Sequence, residues 1–255
     1  MNRQTRIPGT KYTPDPSLQR AAIGQYGRIL LFAGSASHAL GSEIAQYLGI
    51  KPGMYTRSIF PNENIFIQLQ ESVRGQDVYV VQSMCPPVHD NIFELLIMID
   101  TFKRDSAGRV NVVIPYLAYS RSDKKDQPRV GIASRMLANI IETAGADRYI
   151  TIDLHAGQIQ GFFNVPFDHL FAMPVLLEHF KKTIDRDDLT VVSPDMGRVR
   201  VADIWSDKLD APLAIIHKRR DPLVPNQVSV HEIVGEVKDR WCVVVDDMID
   251  TGGTI

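Results

Sequence analysis

The final thirteen residues, 243–255, constrain the fold of this chain more than any other stretch of its sequence. They open with three valines, which predict a buried parallel strand because β-branched residues favour strands and a strand covered on both faces is continuously apolar. Two carboxylates, Asp246 and Asp247, follow at the carboxyl end of that strand, which is where open α/β sheets bind their ligands. The stretch therefore predicts an α/β protein with a ligand site at this edge of a sheet.

The residues after these carboxylates predict a phosphate site. They form a short loop that contains two glycines. Because glycine reaches positive φ at no steric cost, successive backbone N–H groups of this loop can point inward around an anion. The preceding carboxylates suit either the hydroxyls of a ribose or a sugar that is bridged by a metal ion. The alternative, an ordinary Gly-rich turn, does not explain the order of strand, carboxylates and hydroxyl-bearing loop. The loop consists of Asp250, Thr251, Gly252, Gly253 and Thr254.

Composition limits the remaining possibilities. A chain of 255 residues with 44% hydrophobic content can form one large domain or two ordinary ones. Its net charge of −2 gives no general basic field, so we expect no nucleic-acid partner. Cys85 and Cys242 lie beside apolar residues, which predicts reduced, buried thiols in a cytoplasmic protein. We find no secretory signal and no apolar run of about 18 residues, so no membrane association is expected.

The order of predicted elements indicates two α/β domains. Residues 1–27 are rich in proline and glycine and predict an extension. Repeated strand–helix units then predict an N-terminal domain at 28–170 and a C-terminal domain at 171–255, with parallel sheets and right-handed crossovers. We expect the C-terminal domain to be truncated, because such a domain normally continues with a further helix. The predicted strands are 29–32, 65–69, 78–81, 110–114, 149–152, 190–192, 213–216 and 242–245, and the predicted helices are 37–48, 90–108, 132–145, 174–181 and 199–209, with Asp90 as the N-cap of the helix at 90–108.

Polar clusters follow the carboxyl ends of four predicted strands. They are residues 120–126, 153–155, 193–195 and 246–247. Because the carboxyl ends of parallel strands share an edge, we expect each cluster to face a ligand site.

His155 is the candidate metal ligand. It lies two residues after Asp153, and Asp195 occupies a similar position in the C-terminal domain, so these groups can form part of a divalent-cation site completed by phosphate oxygens. A single histidine is more often structural, and that alternative stays open on the residues alone.

Residues 153–163, with the sequence DLHAGQIQGFF, resemble the divalent-cation signature of ribose-phosphate diphosphokinases, also called phosphoribosyl pyrophosphate synthetases. The terminal loop resembles the phosphoribosyl-pyrophosphate loop that these enzymes share with phosphoribosyltransferases. The resemblance runs from about Leu31 to the last residue. It is also carried by residues 60–64, 71–75, 119–126, 193–197 and 217–220.

The resemblance implies a fold, a reaction and partners. The fold is two tandem phosphoribosyltransferase-like domains, each with a mainly parallel sheet flanked by helices. The reaction transfers the diphosphoryl group of ATP to the C1 hydroxyl of ribose 5-phosphate, with Mg²⁺ as cofactor, giving phosphoribosyl pyrophosphate and AMP. The family forms homo-oligomers, usually a dimer-built hexamer, in which a neighbouring subunit contributes the adenine loop.

The resemblance also assigns residues on the nucleotide side. Phe60 would stack on adenine and Asn62 would hydrogen-bond the base, whereas composition alone favours Phe60 as a core or interface residue. The remaining nucleotide-binding candidates are Asn64, Arg121, Ser122, Asp123, Asp126 and His155.

On the ribose-phosphate side the candidates are Asp195, Asp246, Asp247, Asp250, Thr251, Gly252, Gly253 and Thr254. His155 and Asp195 are the implied metal ligands. Lys218 and Arg220, in a segment that matches the family's flexible catalytic loop, are expected to act on the transferring group together with Arg121. On the residues alone, a solvated surface run is the alternative for residues 218–220. The proline-rich residues 221–227 favour an exposed loop in either case.

Three positions depart from the family pattern. Asn64 stands where an acidic residue is usual, Ser122 where glutamine is usual, and Arg198 where a second glycine would let the backbone approach substrate. A non-catalytic or weakly active regulatory paralogue is therefore an alternative to an active synthetase. A phosphoribosyltransferase is a third, which accounts for the terminal loop alone.

Overall fold

The computed structural model describes residues 23–24, 26–184, 186–220 and 228–249. The chain divides into two compact units between Leu170 and Phe171. Most of the predicted extension lies outside the described residues, although Ile23–Gly24 form a short strand.

The first unit is built on a six-stranded sheet and a separate hairpin. Its strands are β1 (Ile23–Gly24), β2 (Gly27–Ala33), β3 (Tyr55–Ile59), β4 (Ile65–Leu69), β5 (Asp77–Val81), β6 (Arg109–Ile114), β7 (Arg148–Ile152) and β8 (Phe167–Leu170). The sheet has the order β1-β2-β5-β6-β7-β8, and neighbours are parallel except for the antiparallel first pair. Valines dominate the central strands, and Val78, Val80, Val110 and Val112 are fully buried, as expected for parallel strands covered on both faces.

Three helices accompany this sheet: α1 (His38–Leu48), α2 (Val88–Arg104) and α3 (Ala133–Ala144). The prediction that Asp90 caps α2 is wrong, because that helix already begins at Val88, after Pro87, and Asp90 lies in its first turn. It also ends at Arg104 rather than near Gly108. Its apolar side chains, at the predicted three- and four-residue spacing, enter the core. They include Ile92, Leu95, Ile99 and Phe102.

Strands β3 and β4 form the antiparallel hairpin, which packs on α2 through the buried Ile67. A fully buried carboxylate, Glu94 on α2, also holds it in place. Glu94 accepts hydrogen bonds from Arg57 Nε at 2.9 Å, from the Ser35 backbone N–H at 2.8 Å and from the Tyr55 hydroxyl at 3.4 Å. Burial, with the neighbouring Glu94 charge, raises the pKa of Tyr55, so its hydroxyl stays a donor.

Replacing Glu94 with alanine is expected to destabilise the first unit by about 3 kcal/mol, because removing one partner of a buried ion pair leaves the other charge uncompensated. Urea unfolding followed by circular dichroism measures this loss. Glu178→Ala, which removes an exposed carboxylate paired with Lys182, is the matched control and should cost less than about 0.5 kcal/mol. Equal losses in the two variants would contradict the role given to Glu94.

The second unit contains a four-stranded sheet. Its elements are α4 (Met173–Thr183), β9 (Leu189–Ser193), α5 (Val199–Leu209), β10 (Leu213–Arg220), β11 (Val228–Val234) and β12 (Trp241–Val244). The sheet has the order β11-β10-β9-β12, in which β9 pairs in parallel with β10 and β12, while β10 and β11 are antiparallel. Leu177, Val191, Ala202, Trp205 and Val245 form the core of this unit.

Two expectations about this unit are wrong. Residues 217–220, expected in a flexible loop, belong to β10, where Lys218 pairs with Val230 and Arg220 with Val228. Cys242, expected to be buried, is exposed. It lies on β12, which is an edge strand of the described sheet and pairs there with β9 alone. Cys85 is half-buried, and both thiols are free, as expected.

No helix among the described residues has both the length and the apolar character needed to cross a membrane.

Candidate functional site

The segments at residues 119–126 and 153–163 meet at one edge of the first sheet. The first follows strand β6 and the second follows its parallel neighbour β7. A hydrogen bond of 2.7 Å from Gln158 Nε2 to Asp123 Oδ2 joins the two segments. Asp123 is only 7% exposed, so this bond compensates a carboxylate that is largely removed from water. Gln158 was not singled out from the sequence, although it lies inside the cation-signature stretch. Sequence spacing alone could not show that it reaches a residue 35 positions away.

The segment that carries Arg121 begins with a tight turn. Tyr119 has a positive φ of 60°, and its carbonyl accepts a hydrogen bond from the Ser122 N–H at 2.9 Å. Its hydroxyl lies 2.7 Å from His89 Nε2, and the two rings are stacked. These contacts fix the turn and leave the side chain of Arg121 exposed beside it.

Ser122 also supports a helix. Its hydroxyl accepts a hydrogen bond from the Ala133 N–H at 3.4 Å, and its carbonyl accepts one from the Ser134 N–H at 3.2 Å. Both donors belong to the first turn of α3, whose N–H groups have no partner within the helix. The short serine at this position therefore acts as a cap supplied from residues 119–126.

The position of His155 follows from the strand next to it. Leu154 is buried, and its N–H donates to His169 Nε2 at 2.9 Å, while the Asp153 N–H donates to the Leu170 carbonyl at 3.0 Å. Asp153 has a positive φ of 47° and is exposed, and His155 is half-buried. Strand β8 thus holds the segment so that the two polar side chains flank one core leucine. His155 is not itself a core residue.

His169 makes this arrangement sensitive to pH. Burial lowers the pKa of His169, against the opposing effect of the Asp153 charge, and its Nε2 must be unprotonated to accept from Leu154. Because the folded-state pKa lies below the ordinary value of about 6.5, its contribution to stability is present above that pH and is lost as pH falls through the folded pKa.

We therefore expect the free energy of unfolding to decrease between about pH 7 and pH 5, and His169→Gln to reduce this decrease, because a glutamine oxygen accepts the same bond without titrating. Urea unfolding at the two pH values measures it. His179→Gln, at an exposed position on α4, should leave the decrease unchanged. A His169→Gln variant with the wild-type pH dependence would contradict the assignment.

The β3–β4 loop presents its aromatic residue outward. Phe60 is 48% exposed, and its ring centroid lies 5.7 Å from that of Phe66. The loop is closed by a hydrogen bond of 2.9 Å from the Phe60 N–H to the Asn64 carbonyl, and the Asn62 side chain accepts from the Asn64 N–H at 3.3 Å. The interpretation of Phe60 as a core residue is therefore wrong. An exposed ring is available to stack on a planar partner.

In the second unit, Asp195 organises the turn before α5. Its Oδ1 accepts from the backbone N–H groups of Gly197 at 2.8 Å and Arg198 at 3.1 Å, and its carbonyl accepts from the Ser193 hydroxyl at 2.8 Å. No hydrogen bond to its other carboxylate oxygen, Oδ2, comes from the described residues. That oxygen is a possible cation ligand.

Asp246 and Asp247, at the end of β12, share one cation. Arg198 Nε lies 3.3 Å from Asp246 Oδ1, and its terminal nitrogen lies 2.6 Å from Asp247 Oδ2. The Arg198 side chain is 14% exposed. Burial, followed by the hydrogen bond with Asp247, raises the pKa of Asp246, and the Arg198 charge opposes that shift. The residue that departs from the family pattern thus contacts both candidate ribose-binding carboxylates.

The remaining candidates are described in part or not at all. Residues 250–254 lie outside the described residues, and so do the side chains of Lys218 and Arg220. Asp126 is exposed. The described part of the chain contains no group of three His, Cys, Asp or Glu side chains close enough to hold a metal ion.

Comparison with known proteins identifies the class first. Residues 174–255 match the model of the phosphoribosyl transferase domain, so the second unit, with carboxylates at the end of its last described strand, is of phosphoribosyltransferase type. Residues 29–145 match the N-terminal domain of ribose phosphate pyrophosphokinase.

The chain belongs to the ribose-phosphate pyrophosphokinase family. It is 53% identical over 228 residues to the ribose-phosphate pyrophosphokinase of Streptomyces avermitilis, covering 89% of this chain and 70% of the relative. It is 50% identical over 229 residues to that of Clostridium perfringens, covering 89% and 71%.

A solved structure agrees with these relatives. The crystal structure of phosphoribosylpyrophosphate synthetase from Mycobacterium smegmatis matches with a TM-score of 0.82 and 44% identity, over 89% of this chain and 73% of that one. The resemblance inferred from the sequence is confirmed, and so are the α/β class with two domains of this family and membership of an enzyme family.

Proposed function

We propose that the chain transfers the diphosphoryl group of ATP to the C1 hydroxyl of ribose 5-phosphate, giving phosphoribosyl pyrophosphate and AMP. The observation that supports this most directly is the Gln158–Asp123 hydrogen bond of 2.7 Å, which holds the nucleotide segment and the His155 segment together at the carboxyl edge of one parallel sheet. The names of the similar proteins point to the same reaction.

The two units divide the binding work. In the first, Arg121, Asp123, Asp126 and His155 belong to the triphosphate side of the nucleotide site, and Ser122 fixes the segment by capping α3. In the second, Asp246 and Asp247 accept hydrogen bonds from the pentose hydroxyls, and the backbone N–H groups of residues 250–254 bind the 5-phosphate.

The reaction requires little covalent chemistry from the protein. The C1 hydroxyl oxygen forms a bond to the β-phosphorus of ATP, the bond from that phosphorus to the α-phosphate oxygen breaks, and the hydroxyl proton is released. Negative charge builds on phosphate oxygens during this step, so positioned cations lower the barrier. Lys218 and Arg220, at the end of β10, are the residues proposed to act there.

Mg²⁺ fits the donors that the chain offers. This cation prefers oxygen ligands, keeps several waters and is often bound by one carboxylate together with substrate phosphates, so a three-residue cluster is not required. In the second unit the proposed ligand is Asp195, whose Oδ2 accepts no bond from described residues. In the first unit His155 is proposed, by resemblance to the family, as a ligand of a nucleotide-bound cation. When bound, the cation would neutralise phosphate charge and orient the triphosphate.

The adenine site is proposed to be completed by a second copy of the chain, through the exposed Phe60 and with Asn62 and Asn64 beside it. This implies a homo-oligomer, and a dimer-built hexamer is proposed by resemblance to the family.

The two compact units of the chain are proposed as its two catalytic domains. A cytoplasmic location is proposed on the two free cysteines.

The proposed reaction is tested by incubating the purified chain with ATP, ribose 5-phosphate and Mg²⁺ and measuring AMP and phosphoribosyl pyrophosphate by chromatography. Both products are expected in equal amounts, and omitting ribose 5-phosphate should abolish them. ADP as the nucleotide product, or no product at saturating substrates, would overturn the proposal.

A further inference from the structure

We infer that Arg198 supplies the positive charge that balances Asp246 and Asp247, so that ribose 5-phosphate binds these carboxylates without a divalent cation between them. This inference rests on the proposed function, which gives the two carboxylates to the pentose hydroxyls. It assigns Arg198 as a positioning residue for the sugar.

The contact geometry supports a single shared cation. Two different nitrogens of one guanidinium lie 3.3 Å from Asp246 Oδ1 and 2.6 Å from Asp247 Oδ2. All three side chains are largely removed from solvent, with exposed fractions of 14% for Arg198, 17% for Asp246 and 12% for Asp247. An ion pair at this depth is only weakly screened by salt.

Two adjacent carboxylates in such a place need a cation. Their charges repel each other, and partial burial removes the water that would otherwise stabilise them. A positively charged group next to both carboxylates compensates this repulsion. A planar guanidinium suits this role because its donors form a rigid fork that reaches two carboxylates at once.

Backbone hydrogen bonds also fix the position of Arg198. Its backbone N–H donates to Asp195 Oδ1 at 3.1 Å, and its carbonyl accepts from the Val201 and Ala202 N–H groups at the start of α5. The side chain therefore starts from a fixed point next to the carboxylates. The charge is built into the fold rather than recruited with the substrate.

The two carboxylates are held in one orientation. The Asp247 N–H donates to Asp246 Oδ1 at 2.8 Å, and the guanidinium of Arg198 contacts one oxygen of each carboxylate. Two adjacent carboxylates fixed in this way match two neighbouring pentose hydroxyls, because carboxylate oxygens accept hydrogen bonds from hydroxyl donors.

The test is calorimetric titration of the 255-residue chain with ribose 5-phosphate, once in EDTA and once in excess Mg²⁺. Wild-type Kd values should agree within about threefold, because the cation adds less than about 0.7 kcal/mol at this subsite. Arg198→Gln should weaken binding about tenfold or more in EDTA, and Mg²⁺ should restore part of the loss. Arg198→Lys, with one charge but no fork, should fall between the two.

Arg200→Gln is the matched control, because Arg200 is exposed two residues further along α5 and should leave both Kd values unchanged. Wild-type binding that disappears in EDTA, or Arg198→Gln binding as tightly as wild type in EDTA, would overturn the inference. The wild-type comparison decides the matter even if Arg198→Gln fails to fold.

The AMP assay separates this inference from the proposed function. If the wild type binds ribose 5-phosphate in EDTA but forms no AMP, the reaction is wrong and the role of Arg198 stands. If AMP forms while ribose 5-phosphate binding requires Mg²⁺, the reaction stands and the role of Arg198 is wrong.

Discussion

Replacing Lys218 with alanine is expected to lower kcat about 100- to 1000-fold, the range for removing one group that stabilises transition-state charge. The same is expected of Arg220→Ala. Both KM values should change less than about threefold, since an interaction made mainly in the transition state contributes little to ground-state binding. Steady-state kinetics with each substrate varied in turn measure the two constants separately.

The structure gives this prediction a specific control. Lys218 and Arg220 lie at the end of β10, where their backbones pair with β11, so alanine at either position keeps the strand. Lys208→Ala removes an exposed lysine from α5 and should leave kcat unchanged. Raised KM values with kcat preserved would show that the two cations bind substrate rather than act on the transferring group.

His155→Ala is expected to lower Mg²⁺-dependent turnover at least about tenfold and to shift the melting temperature by less than about 2 °C. The stability cost is small because His155 is half-buried beside the core residue Leu154 and leaves no large cavity. The measurements are turnover over a range of Mg²⁺ concentrations and thermal unfolding followed by circular dichroism.

His179→Ala, an exposed histidine on α4, is the control for both measurements and should change neither. Unchanged turnover together with a clearly lower melting temperature would assign His155 a structural role, which is the more common one for a single histidine.

The sequence predicted those elements whose signals are local. Helix α3 ends where Gly145 was expected to stop it, and that glycine has a φ of 109°, a conformation that other residues rarely adopt. The valine-rich runs of β5 and β6 become buried parallel strands, because a continuous apolar run is stable only where both faces of the sheet are covered.

Three strands that were not predicted depend on pairing with a neighbouring strand. Strands β3, β8 and β11 have short or mixed sequences, and each exists through hydrogen bonds to a neighbouring strand rather than through its own pattern. Strand β10 is also longer than the predicted strand at 213–216. Pairing with β11 extends it as far as Arg220.

The candidate site shows the same division. The order of the motifs predicted that the carboxylates of both units lie at strand ends. The spacing of residues along the chain could not predict which side chains contact each other across many positions. Gln158 on Asp123 and His169 on Leu154 are two such contacts. Arg198 is a third: the sequence marked it only as a departure, and the structure places it on Asp246 and Asp247.

The anchoring of the β3–β4 hairpin on Glu94 bears on how copies of the chain would assemble. Association loses free energy when a loop must be ordered at the interface, and a loop that is already ordered avoids that entropy loss. Arg57 and Tyr55 tie the hairpin to α2 within a single chain, and the Phe60 loop closes on its own backbone. In the proposed homo-oligomer, a chain would therefore offer Phe60 to a neighbour as a preorganised contact. Weakening the Glu94 anchor is then expected to reduce the affinity between the proposed subunits as well as the stability of each chain.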